Sequence, residues 1–308
     1  MARHQKYWSE AMNAAEQFRG VIVPAVTPYL EDKRVDYAGV QRIFEYFGNL
    51  AEIDGIFVTG ATGEYVLLDD SERRRIFDIT AKLDSGKAIV PNTSTRLRMS
   101  TIELTEYARS IGFDTVGIII PEDCRTFDSV QAFIEDLAKL EVSVFIYQTG
   151  NSPYPLSVEE LGNLLSIGNV VGMKDSCSPK DMTRHLGYIR LYSDRINVIQ
   201  GVEMLYLSSA VMGGVGVIGG GCNVYPSLLR RIGVAVAAGN VEEARRLQDL
   251  VNEYVEIVYL EGSGNESMRY FLSLNGVDVG CTSRKDGVVV SDRKKGILRD
   301  LHAKLQCA

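Results

Sequence analysis

The sequence is poor in the residues that staple or metallate a fold. Its five cysteines (Cys124, Cys177, Cys222, Cys281, Cys307) are odd in number and scattered, no Cys-x-x-Cys occurs, and the three histidines are His4, His185 and His302. Neither a disulfide framework nor a zinc site follows from these spacings. Long apolar runs are missing as well. The longest, counting glycine, is Ala210 to Gly221, which falls short of the ~20 residues of a membrane span. The opening stretch, MARHQKYWSEAMNAAEQFRG, has no signal-peptide apolar core. Basic charge is not in excess either: 33 Lys and Arg face 40 Asp and Glu, a formal charge of −7. That excludes the cationic surface a nucleic-acid or anionic-membrane partner requires. A cytoplasmic, enzyme-sized protein is expected. At 308 residues, 45% hydrophobic and 24% charged, it has ample material for one large core.

Short β-rich apolar runs alternate with amphipathic stretches. Strands are expected at Val21–Thr27, Gly55–Thr59, Ala88–Asn92, Thr115–Ile120, Val142–Tyr147, Val170–Met173, Asn197–Gln200 and Gly214–Ile218. Helical patterns lie between them, near 36–50, 70–83, 99–110, 127–139, 156–166, 178–191, 202–212 and 226–237. Asp36 suits an N-cap, with Val40, Ile43 and Phe47 at helical spacing behind it, and Asp70 precedes a face of Ile76, Ile79 and Leu83. Strand then helix, eight times over, is the pattern of a (β/α)8 TIM barrel, with a doubly wound open sheet as its competitor. The tail differs. A long helix capped by Asn240, a second opening at Asn265 and closed by Gly276, and a third over 291–305 alternate with no strand. The expected organisation is an N-terminal extension (1–19), a barrel (20–238) and a C-terminal helical module (239–308).

In such a barrel the chemistry gathers at the C-terminal strand ends. Lys174 follows the apolar run Val170-Val171-Gly172-Met173. Enclosure there disfavours the ammonium and frees an amine able to form a Schiff base with a ketone, although a strand-end lysine also snorkels to water. Tyr147 ends the neighbouring strand, where a phenol can act as general acid and base or serve structure alone. After the second strand, Gly60-Ala61-Thr62-Gly63 offers backbone amides and a hydroxyl to a small carboxylate; a tight β–α connection explains it equally well. Gly214-Val215-Gly216-Val217-Ile218-Gly219 matches a dinucleotide fingerprint, but it reads as the eighth strand with a helical pattern before it. Gly219-Gly220-Gly221 retains a possible phosphate role, because barrels often bind phosphate after strands seven and eight. The single histidines and cysteines show no partner at catalytic spacing.

Together, Gly60-Ala61-Thr62-Gly63-Glu64, Tyr147 and Gly172-Met173-Lys174-Asp175 resemble the dihydrodipicolinate synthase/N-acetylneuraminate lyase family, over roughly residues 20–275. Gly201-Val202-Glu203 and Ile218 to Pro226 are similar to family segments too. The resemblance implies a TIM barrel with C-terminal helices, a homotetramer built as a dimer of dimers, and no metal or organic cofactor. It implies Lys174 as Schiff-base former, Tyr147 as proton shuttle, and Thr62 with the Gly63 amide as carboxylate binders. Ala61 and Ile218 are carried as further substrate neighbours.

The departures steer the substrate expectation. Synthases of the family carry an arginine five residues after the tyrosine; here Ser152 stands there, preceded by Asn151. They also place tyrosines after the fourth-strand proline, where Pro121 is followed by Glu122 and Asp123, and a hydroxyl residue at Ala61. The expected activity is a Schiff-base lyase, aldolase or dehydratase, acting on a 2-oxo acid such as a 2-oxo-3-deoxy sugar acid. Synthase-type condensation of pyruvate with an aldehyde is the alternative. A non-catalytic small-molecule-binding barrel is the alternative of another class.

Overall fold

The computed structural model describes residues 18–176 and 178–306. Most of the expected N-terminal extension, with His4, Cys177 and Cys307, lies outside the described residues. Eight strands run in parallel: β1 (Gly20–Pro24), β2 (Gly55–Val58), β3 (Ala88–Pro91), β4 (Thr115–Ile118), β5 (Ser143–Thr149), β6 (Val170–Ser176), β7 (Asn197–Gln200) and β8 (Gly216–Val217). Their hydrogen-bonded order is β3-β2-β1-β8-β7-β6-β5-β4. A parallel bridge between Asn92 and Gly117 joins the two edge strands, so the sheet curls into a nearly closed TIM barrel. Around it run α1 (Tyr37–Asn49), α2 (Asp70–Thr80), α3 (Arg98–Ser110), α4 (Phe127–Lys139), α5 (Val158–Leu164), α6 (Met182–Tyr192), α7 (Tyr206–Val211) and α8 (Pro226–Ala237).

Local chemistry sets these boundaries. Asp36 accepts from the Gly39 amide and caps α1 as expected. α2 is capped one residue earlier than expected. Asp69, not Asp70, accepts from the Glu72 amide while Glu72 reaches back, a reciprocal capping box. β5 and β6 each run two residues past Tyr147 and Lys174, because the polar residues that end the apolar pattern still pair: Gln148 with Asp175 and Thr149 with Ser176. Side-chain alternation then sorts the core in two. Ile22, Phe57, Phe145, Tyr147, Ile199 and Ile218 belong to the cluster inside the barrel. A larger cluster fills the layer between strands and helices.

Three more helices follow: α9 (Val241–Tyr259), α10 (Gly264–Leu274) and α11 (Asp292–Gln306). Asn240 caps α9 through the Glu243 amide. α10 starts at Gly264, one residue before the expected Asn265, and Gly276 follows its C-cap at φ 81°. These helices are tied to the barrel by buried charge. Arg269, fully enclosed in α10, donates to Glu64 (2.8 Å) and Glu266 (3.1 Å) and to the Thr27 carbonyl (3.0 Å). Arg284 grips Glu72 with both guanidinium nitrogens at 2.7 Å. Among the described residues, no helix is long and apolar enough to cross a membrane.

Candidate active site

Tyr147 and Lys174 are direct partners across the β5–β6 ladder. The amine lies 3.8 Å from the centre of the Tyr147 ring and 5.2 Å from that of Phe57. Phe57 in turn meets Tyr147 edge-on at 6.0 Å. Lys174 is 2% exposed and, among the described residues, its amine has no hydrogen-bond partner. Burial therefore lowers its pKa to about 7, against the upward pull of Cys222 and Glu203. Burial pushes the Tyr147 phenol up to about 12, with Ser176 drawing it partly back. At neutral pH the pair thus holds a substantially neutral amine beside a protonated phenol.

The far side of the amine is built from the ends of β7 and β8. Glu203 is buried, and its carboxylate accepts from the Gly221 amide. Burial raises its pKa. The triglycine segment is packed, not open. A Cβ on Gly219 would meet the Glu203 carboxyl at 2.4 Å, and one on Gly221 would meet the Tyr225 ring at 2.2 Å. A phosphate there would face that carboxylate, so the phosphate role weighed for 219–221 loses its basis. Gly214–Gly219 is no dinucleotide loop either: β8 lies inside it, and the short turn Gly220–Asn223 follows. Ile218 is buried beside this turn and donates its amide to the Gln200 carbonyl at 2.9 Å.

The loop after β2 reverses sharply. Thr59 and Glu64 sit at φ 50° and 57°, and a Cβ on Gly63 would come within 3.0 Å of the Ala25 carbonyl and the Thr59 Cα. That close approach favours glycine at 63, because a side chain there would press on the neighbouring backbone. Asn92 holds the Thr59 carbonyl (2.8 Å), Thr27 holds the Gly63 carbonyl (2.7 Å), and Arg269 clamps Glu64. Among the described residues the amides of Ala61, Thr62 and Gly63 donate to nothing, with Thr62 half-buried and Ala61 exposed. Three adjacent free amides and a hydroxyl suit a carboxylate.

Asn151 and Ser152 are not gathered with Lys174. Asn151 is exposed, and the Ser152 hydroxyl oxygen accepts from the Thr149 amide at 2.7 Å within its own turn. Glu122 pairs with Arg96 (2.9 Å) on the surface, and Asp123 accepts from the Arg98 amide (2.9 Å) at the start of α3. Two of the described histidines have hydrogen-bond partners, and His302 meets the Asn275 amide oxygen at 3.0 Å. His185 bridges Asp175 (3.2 Å) and Ser209 (2.8 Å). All three are buried on the outer side of β6, closed to any substrate. The chain of bonds braces the strand behind Lys174. Among the described residues, no three His, Cys, Asp or Glu side chains are placed to hold a metal ion. Glu203 and Cys222 stood in sequence only within segments similar to the family, with no role assigned, and Arg269 was not singled out because an arginine in a helix carries no pattern.

The dihydrodipicolinate synthetase family model matches residues 17–304. The chain is 27% identical over 292 residues to an uncharacterized DapA-like lyase of Pyrococcus abyssi, covering 92% of this chain and 98% of the relative. It is 23% identical over 295 residues to the N-acetylneuraminate lyase of Fusobacterium nucleatum, covering 93% and 98%. In fold it is similar to the crystal structure of dihydrodipicolinate synthase from Aquifex aeolicus, at TM-score 0.83 and 22% identity over 94% of this chain and 98% of that one. The chain belongs to the dihydrodipicolinate synthetase family and is a class I pyruvate-dependent lyase.

Proposed function

We propose that the protein cleaves or dehydrates a 2-oxo-3-deoxy sugar acid through an imine on Lys174. The observation that carries this is the Lys174 amine, buried with no hydrogen-bond partner among the described residues and packed on Tyr147. A neutral amine attacks the C2 carbonyl, and the protonated Tyr147 phenol supplies the proton that lets the carbinolamine lose water. The imine nitrogen then stabilises negative charge at C3. In the aldolase course the phenoxide takes the C4 hydroxyl proton, the C3–C4 bond breaks to release an aldehyde and leave an enamine, the phenol returns that proton to C3, and hydrolysis of the imine releases pyruvate and the free amine. In the dehydratase course a C3 proton and a hydroxyl leave instead. The free amides at 61–63 and the Thr62 hydroxyl hold the C1 carboxylate, and Ile218 walls the far side.

The substrate class rests on what is missing at the distal end. An anionic aldehyde calls for a fixed cation, and arginine supplies a bidentate fork. Ser152 stands at the matching position and supplies no such fork: its hydroxyl is engaged by the Thr149 amide, and Asn151 beside it is exposed. Glu122 is paired with Arg96, and Asp123 with the Arg98 amide, so neither supplies the missing cation. Two measurements test the proposal. Borohydride with pyruvate attaches the reduced pyruvyl group to Lys174, whereas a binding-only barrel gives no adduct. On one preparation, kcat/KM for a 2-oxo-3-deoxy sugar acid exceeds that for condensing pyruvate with aspartate semialdehyde. The reverse ratio would restore the synthase alternative. We further propose a tetramer built from dimers, which light scattering at micromolar concentration checks; a monomer there removes it.

A further inference from the structure

One phenol from the C-terminal helices reaches the segment that follows β8. Tyr259 is the last residue of α9. Its ring lies on Gly264, where a Cβ would come within 2.6 Å of it. Its hydroxyl reaches over Gly220, just past β8, so closely that a Cβ there would lie 2.3 Å from the oxygen. The phenol therefore occupies the place a side chain at 220 would take. Glu203, Tyr147 and Cys222, the groups around Lys174, all act on its charge, and burial with these neighbours holds its pKa well above the usual phenol value. The residue is nonetheless 44% exposed. Among the described residues its hydroxyl has no hydrogen-bond partner.

The backbone on which it stands is held firmly. Glu261, two residues on, sits at φ 61°, a conformation that persists only where the surroundings impose it. The buried Lys294 amine of α11 donates to the carbonyls of Val258 (3.0 Å) and Leu260 and to the Ser263 hydroxyl (3.0 Å). Ser291 ties Glu261 at 2.8 Å. A fixed turn thus presents a free hydroxyl toward the groups that line the reacting amine.

We propose that Tyr259 is a substrate-binding residue that sets specificity. Its hydroxyl hydrogen-bonds an oxygen on the part of the 2-oxo acid beyond C3. The inference rests on the reading that Lys174 forms an imine with a 2-oxo acid. In that reading the β2 loop holds C1 and β6 holds C2, so the end of β8 is left for the rest of the chain. Pyruvate, which stops at C3, does not reach it.

The test is reductive capture by borohydride, comparing wild type with Tyr259→Phe. The variant keeps the ring on Gly264 and loses one oxygen. The concentration of a 2-oxo-3-deoxy sugar acid giving half-maximal capture rises roughly three- to tenfold in the variant, the loss of one hydrogen bond. The value for pyruvate stays within twofold. Gly220→Ala, which drives a methyl at the same oxygen, gives the same selective loss. An unchanged sugar-acid value in Tyr259→Phe overturns the proposal, and so does a parallel rise for both compounds. If wild type captures pyruvate but not the sugar acid, the role of Tyr259 falls and the imine reading stands. If it captures neither, both fall.

Discussion

Among the described residues two lysines are buried, one in the barrel and one in the C-terminal helices, and their tasks are opposite. Lys294 is fully enclosed, and its three donors meet the Val258 and Leu260 carbonyls and the Ser263 hydroxyl. Lys174 is equally dry, yet the faces of Tyr147 and Phe57 are its nearest company. Burial lowers the pKa of both, and at Lys174 it reaches about 7. Ring faces attract a cation far less than three oxygens replace its water. The comparison separates burial from reactivity. An amine whose hydrogens are all engaged is a tether. One desolvated beside a phenol keeps a lone pair available.

Exchanging each amine for a methyl-terminated chain of similar length tests this most severely. Lys174→Met abolishes the pyruvate adduct and lowers turnover by roughly 10³-fold or more, measured by mass mapping and steady-state rates. An adduct that persists on another lysine breaks the contrast at once. Tyr147→Phe removes a single oxygen, leaves the fold intact and slows turnover by roughly 10²–10⁴-fold. Turnover within twofold of wild type would deny the phenol its proton-transfer role. The pH dependence of capture is smaller. The neutral fraction of an amine with pKa about 7 climbs as pH rises. Capture of pyruvate by cyanoborohydride therefore quickens about tenfold between pH 6 and 8 while deprotonation limits it. Lys294→Met leaves capture intact but strands buried acceptors, so Tm falls by roughly 5–10 °C.

The contrast between the lysines also marks what could be read in advance. Lys174 and Tyr147 were legible because each follows an apolar run on consecutive βα units, and neighbouring units in a barrel are neighbouring strands. The alternation of elements and the caps at Asp36 and Asn240 are local patterns, so they too stood in the sequence. Strand ends misled where outward polar residues extend the ladder. Gln148 bonds the Leu156 amide and the Tyr188 hydroxyl, and Asp175 bonds His185, so polarity there does not mean a loop. Lys294, Arg269 and Tyr259 were illegible for another reason. Arg269 meets Glu64 across 205 residues, and Lys294 finds its oxygens only where α9 turns into α10. Nothing in the spacing of a helix announces which distant carbonyls it will meet.

The smallest effect distinguishes the lysines by stability alone, without substrate. The folded chain holds Lys174 near pKa 7, against an ordinary value of 10.5. Between those values the unfolded chain binds more protons than the folded one, so the Lys174 contribution to stability rises with pH across that window. Below pH 7 both states carry the proton and the penalty on the fold is complete. Above about 10.5 neither does, and it vanishes. Lys174→Met, which has no proton to lose, should therefore melt about 2–6 °C above wild type at pH 7. That gap should narrow steadily toward pH 10. Lys294→Met should melt below wild type throughout, because its loss comes from unpaired acceptors. Thermal melts of the three proteins at pH 7, 8.5 and 10 decide the matter. A Lys174→Met gap that does not change with pH would mean the barrel amine is not held deprotonated by the fold.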